Sequence, residues 1–286
     1  METVVNRDSK LSELMQIQKV QLATLEELVD FFSKEKLKYF ISGGTVLGSN
    51  YFKNFIPYDD DIDIAMSRSD FNKFLQLVRN AKFSSQNLKV AHYTINPNFK
   101  YTSIRIQNVN LEVVDVSNLS GEVTFPSIDI ASIDGSPNNK LKRWIYYKKL
   151  LFLRGKLTLA YFDTINLTKK RTTIQKFEIK MFKIIGQFLT LNPVKIKQQI
   201  DQTLSHYPME NSTFSGTYMG AYKEKEFIKT STWGNPKAYE FNNKYYMGPE
   251  NTDAYISELY GGFTYYEQDE QNNDRHYFLP QEGNIQ

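Results

Sequence analysis

Cysteine is absent from the 286 residues, and histidine occurs only at His92, His206 and His276. The first absence excludes disulfides, thiolate metal sites and cysteine nucleophiles together. The second leaves too few imidazoles, too widely spaced, for a histidine-built zinc centre. Any metal must then be held by oxygen or imidazole, and oxygen ligands point to magnesium or manganese. Long apolar runs are missing too: "MFKIIGQFLTL" from Met181 is broken by Lys183 and Gln187, so no segment is expected to span a membrane. The opening "METVVNRDSK" lacks the basic-then-apolar order of an export signal, and the expected location is cytoplasmic. A net charge of +3 is too small to indicate a partner by itself.

What is present has the composition of a folded chain: 41% hydrophobic, 23% charged, with 20 Phe, 19 Tyr and 2 Trp, ample for one large domain or two modest ones. Between Leu11 and Lys38, apolar residues such as Leu14, Ile17, Leu25, Leu28 and Phe32 recur at three- and four-residue spacing, which predicts one amphipathic helix or a pair. Tyr39, Phe40 and Ile41 then read as a strand stopping at Gly43 and Gly44. A second helix is expected from Ser67 or Ser69, with Phe71, Phe74, Leu75 and Val78 on one face. Strand pieces follow at 101–107, 111–116 and 127–131. The expectation is an α/β (α+β) core over 1–139, a basic helical subdomain over 140–205 and a C-terminal segment over 206–286 that completes the substrate site. Loop signals in that last segment include "WGNP", "FNNKYYMGPEN" and "YGGF".

Residues 140–183 hold thirteen Lys or Arg against only Asp163 and Glu178. Two uses fit: a solvated helical face, or a cationic surface for peripheral contact with an anionic membrane or a polyanionic substrate. No nucleic-acid motif accompanies the charge, so no nucleic-acid partner is expected.

In "FIPYDDDIDIAM", four aspartates fall within five positions, at Asp59, Asp60, Asp61 and Asp63. Two carboxylates about 6 Å apart repel by roughly 2 to 3 kcal/mol even at an effective dielectric near 20. In a strand, Asp61 and Asp63 share a face while Ile62 and Ile64 point to the core, and Asp59 has the same parity if the strand begins that early. Such a row is costly unless a divalent cation fills the gap, which makes Asp61 and Asp63 candidate ligands and Asp59 a further one. Asp60, of opposite parity, is expected to cap the turn or face solvent. The glycine turn at Gly43 and Gly44, leading into a helix at Thr45, offers backbone amides suited to phosphate oxygens.

The stretch "SGGTVLGSNYFKNFIPYDDDIDIAMSRSDFNKF" closely resembles the signature of LicD-type phosphotransferases, which have a nucleotidyltransferase-like fold. The resemblance continues in "FPSIDIASIDGSPNN", "YEFNNKYYMGPENTDAYISELYGG" and "DRHYF", in family order from about residue 20 to 278. It implies a mixed sheet with flanking helices and the basic segment as a helical insertion. It also implies that Gly43, Gly44 and Thr45 hold donor phosphates, that Asp61 and Asp63 bind metal, and that a neighbouring strand supplies a third carboxylate. Asp129, alternating with Ile128 and Ile130, is the best candidate for that third ligand and for the catalytic base; Asp115 is a less favoured substitute, and Asp134 looks like a turn residue before Gly135. Lys53 and Arg105 are candidate phosphate-binding cations. Tyr51 and Phe52 stand where the family often has a basic pair, and Gly262 where it often has an aspartate. The implied activity is transfer of a substituted phosphate, typically phosphocholine, from a CDP-alcohol donor to a sugar hydroxyl of a lipid-linked or polymeric glycan such as teichoic acid, lipopolysaccharide or capsule. Glycerol or ribitol phosphate transfer, true nucleotidyl transfer and a non-catalytic glycan or membrane binding module are the alternatives.

Overall fold

The computed structural model describes residues 2–83, 85–115, 123–161, 191–262 and 275–280. One helix, α1 (Glu2–Lys34), occupies the amphipathic N-terminal region, and Lys36, at φ 54°, lies in the left-handed region just beyond its end. Its buried row of Leu14, Ile17, Gln21, Leu25, Leu28 and Phe32 keeps the three- and four-residue spacing of the sequence pattern. β1 (Phe40–Ile41) leads through α2 (Gly43–Leu47) and a π turn at Gly48–Phe52 to β2 (Ile62–Ser67), which runs antiparallel to β1. α3 (Arg68–Arg79) starts where the sequence indicates, with the Ser67 hydroxyl accepting the Asp70 N–H.

β3 (Leu88–Ala91), β4 (Ile104–Asn108), β5 (Val113–Asp115), β6 (Val123–Thr124) and β7 (Ser127–Gly135) follow. The main sheet has the order β1-β2-β7-β4-β3. β2 and β7 pair in parallel, while β7–β4 and β4–β3 are antiparallel. This is the mixed sheet with flanking helices that the sequence implies. Asp134 corrects one expectation. It sits inside β7 rather than in a turn, fully buried, with both carboxylate oxygens accepting from the Arg68 guanidinium at 2.6 and 2.7 Å. The hydrophobic strand run continues through Ile133, so β7 reaches four residues past the expected end.

Of the basic segment, Lys140–Ala160 forms α4, capped by the Asn139 side chain, and residues 162–183 lie outside the described residues. α4 packs through Tyr146, Leu150 and Leu153 on Ile196, Ile200 and Leu204 of α5 (Pro193–Leu204). β8 (Phe214–Gly216) pairs with the end of β7, and β9 (Ile228–Lys229) pairs with β8. After α6 (Thr230–Trp233) comes a hairpin, β10 (Lys237–Phe241) and β11 (Lys244–Gly248), then α7 (Thr252–Tyr260). The "FNNKYY" loop signal thus marks a tight hairpin, whose two turn residues, Asn242 and Asn243, both take positive φ as asparagine tolerates. β12 (Tyr277–Phe278) joins β5 and β6 in a small separate sheet. Trp233, Phe241, Tyr246 and Tyr255 are buried in the same core as Ile62, Ile64 and Ile130, so the C-terminal third packs against the main sheet. Among the described residues, no helix is long and apolar enough to cross a membrane.

Candidate active site

The parallel register of β2 and β7 sets Asp63 opposite Asp129, and the antiparallel register of β4 and β7 sets Arg105 opposite Asp129. On either side of the aspartates, Ile62, Ile64, Ile128 and Ile130 are buried, so alternation turns the carboxylates to the other face. β2 begins only at Ile62; Asp59, Asp60 and Asp61 lie in the loop that enters it. That loop is held from α1 by neutral amides. The Gln18 amide donates to the Asp59 carbonyl at 2.7 Å, and the Gln21 amide to the Asp60 and Ser127 carbonyls at 3.2 and 3.1 Å.

The glycine turn lies directly against the carboxylates. Gly43 has φ +56°, and a Cβ there would lie 2.5 Å from Asp63 Oδ2; at Gly44 it would lie 3.3 Å from Asp59 Oδ2. The Asp63 N–H donates to the Thr45 hydroxyl at 3.0 Å, tying turn and strand together. The Gly43 N–H donates to the Tyr255 hydroxyl at 2.9 Å, so α7 also reaches the turn.

Crowding shows in the electrostatics. Burial first, then Asp61, push the Asp59 carboxyl well above the usual carboxylate range; burial, Asp61 and Asp129 do the same to Asp63. Asp61 is also raised by burial, against the opposing influence of His276. Asp60 corrects the expectation of a solvent-facing residue. It is fully buried and accepts the backbone N–H groups of His276 and Tyr277, both at 2.9 Å. The role is that of a cap, but for a segment 216 positions away. His276 Nδ1 lies 3.5 Å from Asp60 Oδ1 and 3.6 Å from Asp61 Oδ2. The Asp60 carboxylate beside the ring, opposed by burial and aided by Asp61, lifts the imidazole pKa to about 9.

Ligand atoms of Asp59, Asp60 and His276 lie within 4.8 Å of one another, a set compatible with a divalent metal. Asp61 adjoins that set through His276, and Asp63 through its repulsion with Asp61. Carboxyls that burial and mutual repulsion hold above their usual range are the groups a cation would stabilise most, so the residues fit such an ion. Asp129 is already engaged: its two oxygens accept from Arg105 Nε and Nη2 at 2.8 and 2.7 Å. Asp115 lies on β5 of the small sheet, opposite Tyr277 of β12.

Gly43, Asp63 and Asp129 share the wall of a cavity of about 330 Å³ with Lys100, Tyr101 and Glu226. Lys53 is not on that wall; it is exposed, and its ammonium donates to the Asn50 carbonyl at 3.3 Å. The structure therefore brings together Gly43, Gly44, Thr45, Asp59, Asp61, Asp63, Asp129 and Arg105, and leaves Lys53 outside. Sequence reasoning did not single out Lys100, Glu226 or His276 as site residues. Only His276 had a signal, its place in "DRHYF".

Residues 36–151 match a family model described as LicD/FKTN/FKRP, nucleotidyltransferase domain. Over 249 residues the chain is 24% identical to the lipopolysaccharide cholinephosphotransferase LicD of Haemophilus influenzae, covering 82% of this chain and 87% of that protein. An uncharacterized protein of Rickettsia typhi is 29% identical over 86 residues, 30% of this chain and 26% of its own length.

Proposed function

From the match of residues 36–151 to the LicD/FKTN/FKRP nucleotidyltransferase domain and the likeness to a lipopolysaccharide cholinephosphotransferase, we propose that the chain transfers phosphocholine from CDP-choline to a sugar hydroxyl of a cell-surface glycan. The observation that carries the proposal is the placement of Asp63 and Asp59 against the paired glycines, with Asp63 opposite Asp129 and both of those on the wall of one cavity. A diphosphate donor needs its negative charge neutralised and its phosphorus held in line with the incoming oxygen. Lys100 stands on the cavity wall where it can meet donor phosphate, the part first assigned to Lys53.

In the proposed reaction the acceptor hydroxyl oxygen forms a bond to the donor's β-phosphorus. The bond from that phosphorus to the bridging oxygen breaks, and cytidine monophosphate leaves with the electron pair. Asp129 takes the hydroxyl proton, oriented by the bidentate grip of Arg105. Asp61 and Asp63, with Asp59 and His276 beside them, would hold magnesium or manganese, which neutralises diphosphate charge and lowers the pKa of a nearby hydroxyl. α4 gives the acceptor side a second part: Leu141, Trp144, Ile145 and Phe152 are exposed on a helix rich in lysine, a surface suited to an anionic leaflet carrying a lipid-linked acceptor.

The test is incubation with CDP-choline, CDP-glycerol, CDP-ribitol or CTP, with magnesium or manganese and an acceptor glycan, followed by product identification. Release of cytidine monophosphate with labelled choline on the glycan supports the proposal. Release from the glycerol or ribitol donor alone assigns a neutral alcohol phosphate, and pyrophosphate from CTP alone assigns nucleotidyl transfer.

A further inference from the structure

Glu226 ends the run "KEKE" (Lys223–Glu226), in which the three residues before it are solvent-exposed. Yet Glu226 itself is only 3% exposed and stands on the wall of the cavity that holds Asp63 and Asp129. Its carboxylate is hydrogen-bonded: Oε2 accepts from the Thr217 hydroxyl at 2.8 Å and Oε1 from the Tyr222 N–H at 3.3 Å. It has no ion-pair partner within 4.0 Å among the described residues. The Arg154 guanidinium, which acts on Glu226 only at a distance, donates to the carbonyls of Tyr218 and Gly220 at 3.4 and 2.9 Å. Buried carboxylates ordinarily have a counter-ion, because desolvation of a lone charge is expensive. The chain also makes room for this one: any Cβ at Gly220 would collide with Glu226 Oε1.

Four tyrosines stand on the same wall, beside Lys100 and the hydroxyl residues Ser103, Ser132 and Thr217. Tyr101, Tyr218, Tyr222 and Tyr255 line it with Met219. Other rings brace three of these tyrosines: Tyr218 stacks on Phe227 at 4.3 Å, Tyr222 meets Tyr260 edge-on at 5.0 Å, and Tyr255 meets Trp233 at 5.1 Å. Braced aromatic rings beside a carboxylate without an ion-pair partner suit a soft, weakly hydrated cation, which gains from both, whereas a neutral alcohol forgoes the charge attraction.

We infer that Glu226 and the tyrosines at 101, 218 and 222 form a subsite for a quaternary ammonium, and that Glu226 is the residue that selects a cationic alcohol phosphate over a neutral one. The inference rests on the proposed transfer reaction for its biological setting, but its physical content is a binding preference that needs neither metal nor nucleotide. Arg105 lies over the Tyr101 ring at 4.9 Å, so that ring adjoins the Arg105–Asp129 pair as well as the cavity.

Two probes that differ in charge and share a shape decide it: phosphocholine and its neutral-headed isostere, 3,3-dimethylbutyl phosphate, titrated calorimetrically into the full chain. The expected result is that phosphocholine binds about tenfold tighter or more, and that Glu226→Gln, which keeps the side-chain volume, reduces the ratio to about threefold or less. Tyr222→Leu, at a residue 43% exposed, is a second variant that leaves the core intact and is expected to lower the same ratio. Equal affinity of the wild type for the two probes, or a ratio unaltered in folded Glu226→Gln or Tyr222→Leu, overturns the inference. The donor screen separates this from the reaction itself. A persistent ratio with no cytidine monophosphate from any donor removes the transferase proposal and keeps the subsite. Equal turnover of choline and glycerol donors with a ratio near one does the reverse.

Discussion

At Asp63 the cost of an acidic site is concentrated in one side chain. Burial and the neighbouring carboxylates hold its protonated form above the usual range, so the folded state binds more protons than the unfolded one. A raised carboxyl pKa favours the fold only at low pH. Its stabilising share is fully present below the unfolded value near 4 and is lost as pH rises through the folded value. Metal-free protein is therefore expected to lose stability as pH rises above about 4, and Asp63→Asn to recover part of that loss. The gain at pH 7 is about 1 kcal/mol or more, which for a domain of this size moves Tm by ~2 to 4 °C. Calorimetry of both forms should show the gap closing towards pH 4, and magnesium or manganese should stabilise the wild type alone. Transfer activity should be lost in the variant. A variant as labile as the wild type at pH 7 contradicts this account. Asp61 and Asp63 were legible as candidates because the strand pattern puts isoleucines on one face and leaves carboxylates on the other, whereas Asp129 entered through the resemblance, which calls for a third carboxylate from a neighbouring strand. Glu226 was not legible: its neighbours are charged and exposed, and only the packing of residues 216–222 shows that it turns inward.

At the scale of elements, the glycine turn and the acidic loop form one piece. Gly43 and Gly44 look alike in sequence, but only Gly43 combines positive φ with contact on Asp63. Gly43→Ala is expected to cost about 1 to 2 kcal/mol in backbone strain and to displace the Asp63 carboxylate, lowering turnover by about 100-fold. Gly44→Ala, with ordinary φ and a 3.3 Å neighbour, should be milder in both thermal melting and cytidine monophosphate release. Equal effects would show that the turn does not position the carboxylate. α1 was legible from periodicity and α3 from its cap, but α6 and α7 were not, because their segment was read for its loop signals. β3, β8 and β9 were missed because two- to four-residue strands carry too little alternation to stand out from loops. Arg105 and Asp129 were each named, but their pairing depends on the register of β4 against β7, which is a tertiary fact.

Across the whole molecule, α1 and the late strand β12 meet beside the acidic loop: Asp60 holds the backbone of His276 and Tyr277, while Val113 and Tyr277 pack on Ile17 of α1. No local pattern announces a contact across 216 positions, which is why His276 entered only with a motif. On another surface, α4 exposes Leu141, Trp144, Ile145 and Phe152 among its lysines. Each lysine near an anionic bilayer contributes about 1 kcal/mol. Reversing Lys140, Lys142, Lys148 and Lys149 to glutamate should therefore reduce binding to phosphatidylserine-containing vesicles by about 100-fold or more, measured by sedimentation, with circular dichroism unchanged. Undiminished sedimentation removes membrane contact from the proposal.

The amides of Gln18 and Gln21 give the acidic loop an anchorage of a different kind from the ion pairs elsewhere in the chain. Neutral tethers to backbone carbonyls are indifferent to salt and to the arrival or departure of protons. These tethers can thus keep the loop in register while the charge it carries changes.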